Sequence, residues 1–283
     1  TDRVRQGISN AMRNRGRFPM YDELSDAEYR ILTMFSVLYR HVGLTLNLDC
    51  HDPNFEYDGG DSSTNFIHSA LQANCPLTCC TAPVIFAAIG RRLGYPIKLV
   101  KTREHIFCRW VEDNERFNIE ATSKGYYPKS DEWYHTFPRP IYREGLASGV
   151  FLTDLTPRQE LGLFLSFRGI CMLWNLRPAE AIESFYWASK MDPQDFFIRN
   201  QWIIATMFEE AQRESTRLHG ASGRDPAHWK IPSRCEQFGT QQYLHACRWL
   251  DVIRSQRGIT QPDFVEQLRF ELDRVLSHKA DRR

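Results

Sequence analysis

Between Pro83 and Gly94 the chain reads VIFAAIGRRL, and the first six of these residues would be apolar on every face of a helix. A helix with no polar side to turn toward water has to be enclosed by other elements. Arg91 and Arg92 in the last turn, followed by Gly94 and Pro96, supply a stop signal, so a buried helix is expected over 83–93. What encloses it is legible just downstream. Residues 97–100, 106–111 and 116–119 are short apolar or alternating runs, separated by charged or Asp-Asn turns suited to antiparallel strands. A helix packed on a small antiparallel sheet is therefore the expected core, and the fold class is α+β.

Upstream, Ser25, Asp26, Ala27 and Glu28 read as a capping box, followed by Ile31, Leu32, Phe35, Leu38 and Tyr39 at spacings of three and four. This predicts a helix over 26–42. The arginine-rich start from Arg3 to Arg17 reads as a solvated terminal arm. Residues 49–64, with Pro53, Gly59, Gly60 and several aspartates, have turn chemistry and no periodicity. Beyond Thr153 the pattern changes to long amphipathic helices, expected over 158–174, 179–190, 195–218, 241–257 and 261–277. A boundary near residue 150 divides the chain into a core with N-terminal helices, 1–150, and an all-α helical domain, 151–283.

Composition narrows the function classes. The 36 basic and 35 acidic side chains nearly cancel, so no long-range field favours nucleic acid or an anionic membrane as partner. No apolar run approaches the roughly 20 residues needed to span a bilayer, and no secretory-type stretch is present, so a soluble, cytoplasmic protein is expected. Eight cysteines in 283 residues are too dilute for a disulfide scaffold and suit a reducing compartment. No organic cofactor is implied.

The chemistry is expected where the buried helix begins. Free N–H groups and the positive end of the dipole depress the pKa of a thiol there, and Cys79 lies just before or inside that start. His105 opens one predicted strand and Glu120 closes another, while Asp113 and Asn114 form the turn that returns Glu120 beside His105. A thiol, a base and an acid that orients the base make up a nucleophilic triad. Cys75 and Cys80 are alternative nucleophiles. Gln72 or Asn74, with the Cys79 N–H, are candidate donors to an oxyanion.

These residues resemble a known family. Residues 79–96, CCTAPVIFAAIGRRLGYP, look like the nucleophile helix of transglutaminase-like proteins, with Cys79 fifteen residues before Gly94. Residues 105–122, HIFCRWVEDNERFNIEAT, resemble that family's histidine strand, turn and acid strand, with His105 fifteen residues before Glu120. The resemblance spans residues 65–125. It departs from the family at Glu120, where aspartate is commoner, and at Pro83, where alanine is usual. It implies a transglutaminase/papain-like core and a cysteine hydrolase, protease or acyltransferase acting on amide or peptide bonds of a protein or peptide substrate. Farther on, Gly169, Ala181, Phe185, Ala188 and Pro193 resemble the small, aromatic and proline positions of one tetratricopeptide helix pair, although an ordinary helical bundle has such residues too.

Two competing readings stand beside this one, and the conspicuous aromatics read as structural. Cys75, Cys79, His105 and Cys108 have ligand types suited to zinc. A scaffold with a decayed triad would bind a protein or peptide partner without chemistry. Trp110, Trp133 and Trp187 read as packing anchors, and Trp133, Tyr134 and His135 as a loop packed onto the core in preference to a cleft lining.

Overall fold

The computed structural model describes residues 2–17, 21–47, 49, 59–71, 75–123 and 125–259. The expected helix over 261–277, the candidates Gln72 and Asn74, and most of the 49–64 loop lie outside the described residues. In chain order the helices are α1 (Asp2–Asn14), α2 (Asp26–Ser36), α3 (Ser62–Asn65), α4 (Ala82–Arg92), α5 (Asp131–Tyr134), α6 (Arg143–Ala147), α7 (Pro157–Trp174), α8 (Pro178–Met191), α9 (Phe196–His219) and α10 (Thr240–Gln256). Strands β1 (Ile97–Thr102), β2 (His105–Glu112) and β3 (Glu115–Ile119) lie between α4 and α5. The architecture is α+β, and among the described residues no helix is long and apolar enough to cross a membrane.

The sheet is antiparallel in the order β1-β2-β3, with Leu99 opposite Cys108 and Cys108 opposite Ile119. One face of it, Ile97, Leu99, Ile106, Cys108, Trp110 and Ile119, packs with α4 in the main core, joined by Ile31, Met34 and Phe35 of α2. Period 3.6 gathers Ala82, Pro83, Phe86, Ala87 and Gly90 into the fully buried stripe of α4. Val84, Ile85 and Ile89 are only partly covered, because three strands shield one side of a helix. The expected stop is present. Gly94 has φ +84°, Tyr95 N–H donates to Gly90 O at 2.9 Å and Gly94 N–H to Arg91 O at 3.0 Å, which is a Schellman ending.

The capping box forms as read: Glu28 N–H donates to Ser25 Oγ at 3.0 Å and Ser25 N–H to Glu28 Oε2 at 2.9 Å. The helix it starts changes character after Ser36, where Val42 N–H reaches back to Val37 O and opens a π turn over Val37–His41. The expected N-terminal arm is corrected to a docked helix. Val4 and Ile8, four residues apart, are buried in the core and Met12 packs beside them, leaving Arg3, Arg5 and Arg13 exposed. The end of the expected 49–64 loop is likewise helical, since Asp61 Oδ1 accepts Ser63 N–H and caps α3.

The chain after β3 stays on the sheet before entering the helices. Leu152 N–H donates to Lys101 O and Leu155 N–H to Leu99 O, both at 2.9 Å, so residues 152–155 run along the β1 edge. Two ion-pair groups then tie the helices to the core. Arg91 grips Glu160 at 2.8 and 2.5 Å, and buried Lys101 donates to Asp195 and lies 3.5 Å from Asp192 Oδ2. Helices α7 to α10 pack in sequence around Phe185, Phe208, Trp229 and Leu250. Trp110 is an anchor as expected, but Trp187 is half exposed, since the buried stripe of α8 is Ala181, Ser184, Phe185 and Ala188.

Where α7 crosses α8, a Cβ on Gly169 would sit 2.6 Å from Phe185 Cε1. Gly169→Ala gains about 1 kcal/mol of helix propensity but overpacks a buried ring at about 1–3 kcal/mol. The expected outcome is a lower Tm by thermal melt. A higher Tm would mean that the ring slides aside freely.

Candidate active site

The helix start is built by two threonines. Thr78 Oγ1 accepts Cys80 N–H at 3.2 Å, Thr78 N–H donates to Thr81 Oγ1 at 2.8 Å, and Ala82 N–H bonds Thr78 O at 2.9 Å. Helical hydrogen bonding thus begins at Thr78, four residues before α4 proper, and Cys79 occupies the first turn. Pro83 has no N–H to offer the Cys79 carbonyl four residues back, which leaves this turn irregular. Cys79 is partly exposed, whereas Cys80 is buried. Cys75 is also partly exposed but lies before the turn.

Three contacts orient α4 on the sheet. Near its C-terminus Arg91 Nε donates to Ile97 O at 2.8 Å, and a Cβ on Gly90 would collide with Ile97. At its first turn Cys108 Sγ donates to Pro83 O at 3.1 Å. Ile97 pairs with Trp110, so α4 runs alongside β2 in the same direction, and its N-terminal tip is directed toward the end of the sheet that carries Thr102 and His105.

At that end His105 and Glu120 meet. His105 Nε2 lies 2.8 Å from Glu120 Oε2, and both side chains are buried. Continuing the register of β2 and β3 by one residue sets Glu120 across from Phe107, two residues from His105 and on the same face. Such a diagonal separation is about 7–8 Å between backbones, which suits the longer reach of glutamate over aspartate.

The carboxylate is saturated with donors. Oε2 also accepts the Tyr134 hydroxyl at 2.9 Å, and Oε1 accepts Thr122 N–H at 3.0 Å and Thr122 Oγ1 at 2.5 Å. Burial by itself would raise the Glu120 pKa, but the facing His105 ring and the two Thr122 bonds outweigh it and hold the carboxyl at about 2. An ionised carboxylate only accepts, so the proton of a neutral His105 sits on Nε2 and Nδ1 carries the lone pair. Burial, then the charge of Glu120, pushes the Tyr134 phenol far above its ordinary range and keeps it a donor.

The segment bearing Tyr134 is fixed by buried Arg109. Its guanidinium bonds Asn118 Oδ1 at 2.7 Å, Asp154 Oδ1 at 2.8 Å and Asp131 Oδ1 at 2.5 Å. Thr102 Oγ1 donates to the Tyr134 carbonyl at 3.0 Å, and the Tyr134 ring stacks on Phe107 at 3.7 Å. The expectation that residues 133–135 pack on the core holds for Tyr134, which is fully buried, while Trp133 is partly exposed and stacks on Phe137 at 4.1 Å. Sequence reasoning missed the roles of Tyr134 and Thr122. The available signals were a tyrosine hydroxyl in an apolar setting, which needs a partner, and a threonine two residues after the acid.

The zinc alternative is corrected by the pleat. Cys108 is three residues from His105 and so faces α4, away from the His105 face, where burial and then Glu120 push its thiol well up. Among the described residues no group of three or more His, Cys, Asp or Glu is placed to hold a metal ion. Comparison of the chain with protein-family models, curated proteins and solved structures found no match.

Proposed function

We propose that the chain is a thiol-dependent hydrolase or acyl transferase acting on amide or peptide bonds, with Cys79 as nucleophile, His105 as base and Glu120 as the acid that orients it. The observation that carries this reading is the buried His105–Glu120 pair at the end of the sheet toward which the Cys79 helix tip is directed. What supports it further is likeness in sequence: residues 65–125 resemble the transglutaminase-like family, and Gly169, Ala181, Phe185, Ala188 and Pro193 resemble positions of a tetratricopeptide unit, a type suited to engaging a protein or peptide.

In this mechanism His105 Nδ1 takes the proton from the Cys79 thiol, and the thiolate attacks the carbonyl carbon of the substrate. The proton passes from Nδ1 to the departing amine as the C–N bond breaks, leaving a thioester on Cys79. Water then attacks the thioester carbonyl as Nδ1 takes one of its protons, the C–S bond breaks to release the acid, and Nδ1 returns that proton to the Cys79 sulfur. An amine in the place of water completes a transamidation. Water is always present, whereas an amine needs a site of its own, so hydrolysis is the favoured outcome.

Alkylation tests this directly. Near pH 6.5, about two units below an ordinary thiol pKa of ~8.5, an unactivated cysteine is only about 1% thiolate. Iodoacetamide is expected to label Cys79 at least about tenfold faster than the other cysteines, as read by peptide mapping. Uniformly slow labelling would overturn the enzymatic reading in favour of a binding scaffold.

A further inference from the structure

We infer that Tyr134 is a positioning residue of this site, pinning the same carboxylate oxygen that His105 uses and so extending the triad to Cys79, His105, Glu120 and Tyr134. The inference rests on the catalytic reading above. It stands on geometry at both ends of the tyrosine. The hydroxyl lies 2.9 Å from Glu120 Oε2, while the ring is sandwiched against Phe107 and runs near parallel to the His105 ring, with centroids 6.1 Å and planes 19° apart. The phenol therefore has little room to swing away.

The backbone beneath it is equally fixed. Thr102, the strand partner of His105, donates to the Tyr134 carbonyl, and Arg109 holds Asp131 at the start of the same short helix. Glu120, in turn, is held from its other oxygen, among the described residues, by Thr122. Without Tyr134 the carboxylate keeps one oxygen anchored by Thr122 and one that, among the described residues, His105 restrains. A structural tyrosine would contribute its ring. A positioning tyrosine contributes its hydroxyl, and only the second role is transmitted to His105.

Removing the hydroxyl leaves Oε2 with a single donor, so the bond from His105 Nε2–H should shorten and its proton become more deshielded. The experiment is proton NMR of the full chain, with the downfield imidazole N–H signal assigned by its loss in His105→Gln. In Tyr134→Phe the signal is expected to move downfield by roughly half a part per million. A folded Tyr134→Phe protein with an unmoved signal overturns the proposal, as does the absence of any such signal from the unaltered protein at low temperature.

Should Tyr134→Phe fail to fold, 3-fluorotyrosine incorporated at position 134 keeps the ring and strengthens the donor. The shift should then be upfield, and no shift is again a refutation. Selective alkylation of Cys79 reads the catalytic assignment and the N–H signal reads Tyr134, so the two can fail separately.

Discussion

Lys101→Met is expected to lower stability by about 3–5 kcal/mol, because it strips the cation from a buried ionic cluster. The Lys101 ammonium is buried together with Asp192 and Asp195 where the α8–α9 turn meets β1. Methionine matches its bulk but leaves two carboxylates out of water with no cation between them. Asp195 retains one partner, because its Oδ1 also accepts Phe197 N–H at 2.9 Å and caps α9. Asp192→Asn should cost less than Lys101→Met, since the lysine then keeps Asp195. Urea unfolding measures both, and a Lys101→Met loss below about 1 kcal/mol would mean that the cluster is hydrated in solution. Thr102, the next residue, pairs with His105 and supports Tyr134, so the same variant should slow Cys79 alkylation as well.

Local pattern and long-range pairing divide what the sequence discloses. Period, caps and stops are local, and they located α2, α4, the three strands and α7 to α10 to within a few residues. The first helix escaped because Val4, Ile8 and Met12 are sparse among arginines, and only the presence of a core to dock on makes four-residue spacing decisive. Trp187 was misjudged for the opposite reason, since its size suggested burial while the phase of α8 turns it outward. At the site, the spacing of His105 and Glu120 about an Asp-Asn turn was enough to bring them together on one face. The polar groups of Thr122 and Tyr134 were visible, but their pairing with Glu120 was not: the first depends on how the strand ends, and the second on a fold-back that no periodicity encodes. Lys101 and its aspartates are about 90 residues apart, and no local rule pairs them.

Glu120→Gln is expected to keep the fold and lose the base, slowing Cys79 alkylation near pH 6.5 by about tenfold to a hundredfold toward the rate of an ordinary thiol. Four donors converge on the two oxygens of Glu120, and an amide has only one oxygen to offer. Thr122 N–H cannot reverse its polarity, so the amide oxygen must face Thr122 and the amide nitrogen must face His105 and Tyr134. The Tyr134 hydroxyl can rotate to accept. His105 can accept at Nε2 only by moving its proton to Nδ1, which removes the lone pair meant for the thiol. Glu120→Asp keeps the charge but falls about 1.5 Å short of the diagonal reach, so its loss should be smaller and its alkylation still faster than that of Glu120→Gln. Acid stability supplies an independent readout. Glu120 is held at about 2 in the folded chain, below the ordinary 4.5, so its contribution is full above about pH 4.5 and fades as pH falls toward 2. Glu120→Gln should flatten that part of the stability profile. Retention of rapid alkylation in Glu120→Gln would show that the imidazole needs no carboxylate to hold its tautomer, and the role given to Glu120 would have to be withdrawn.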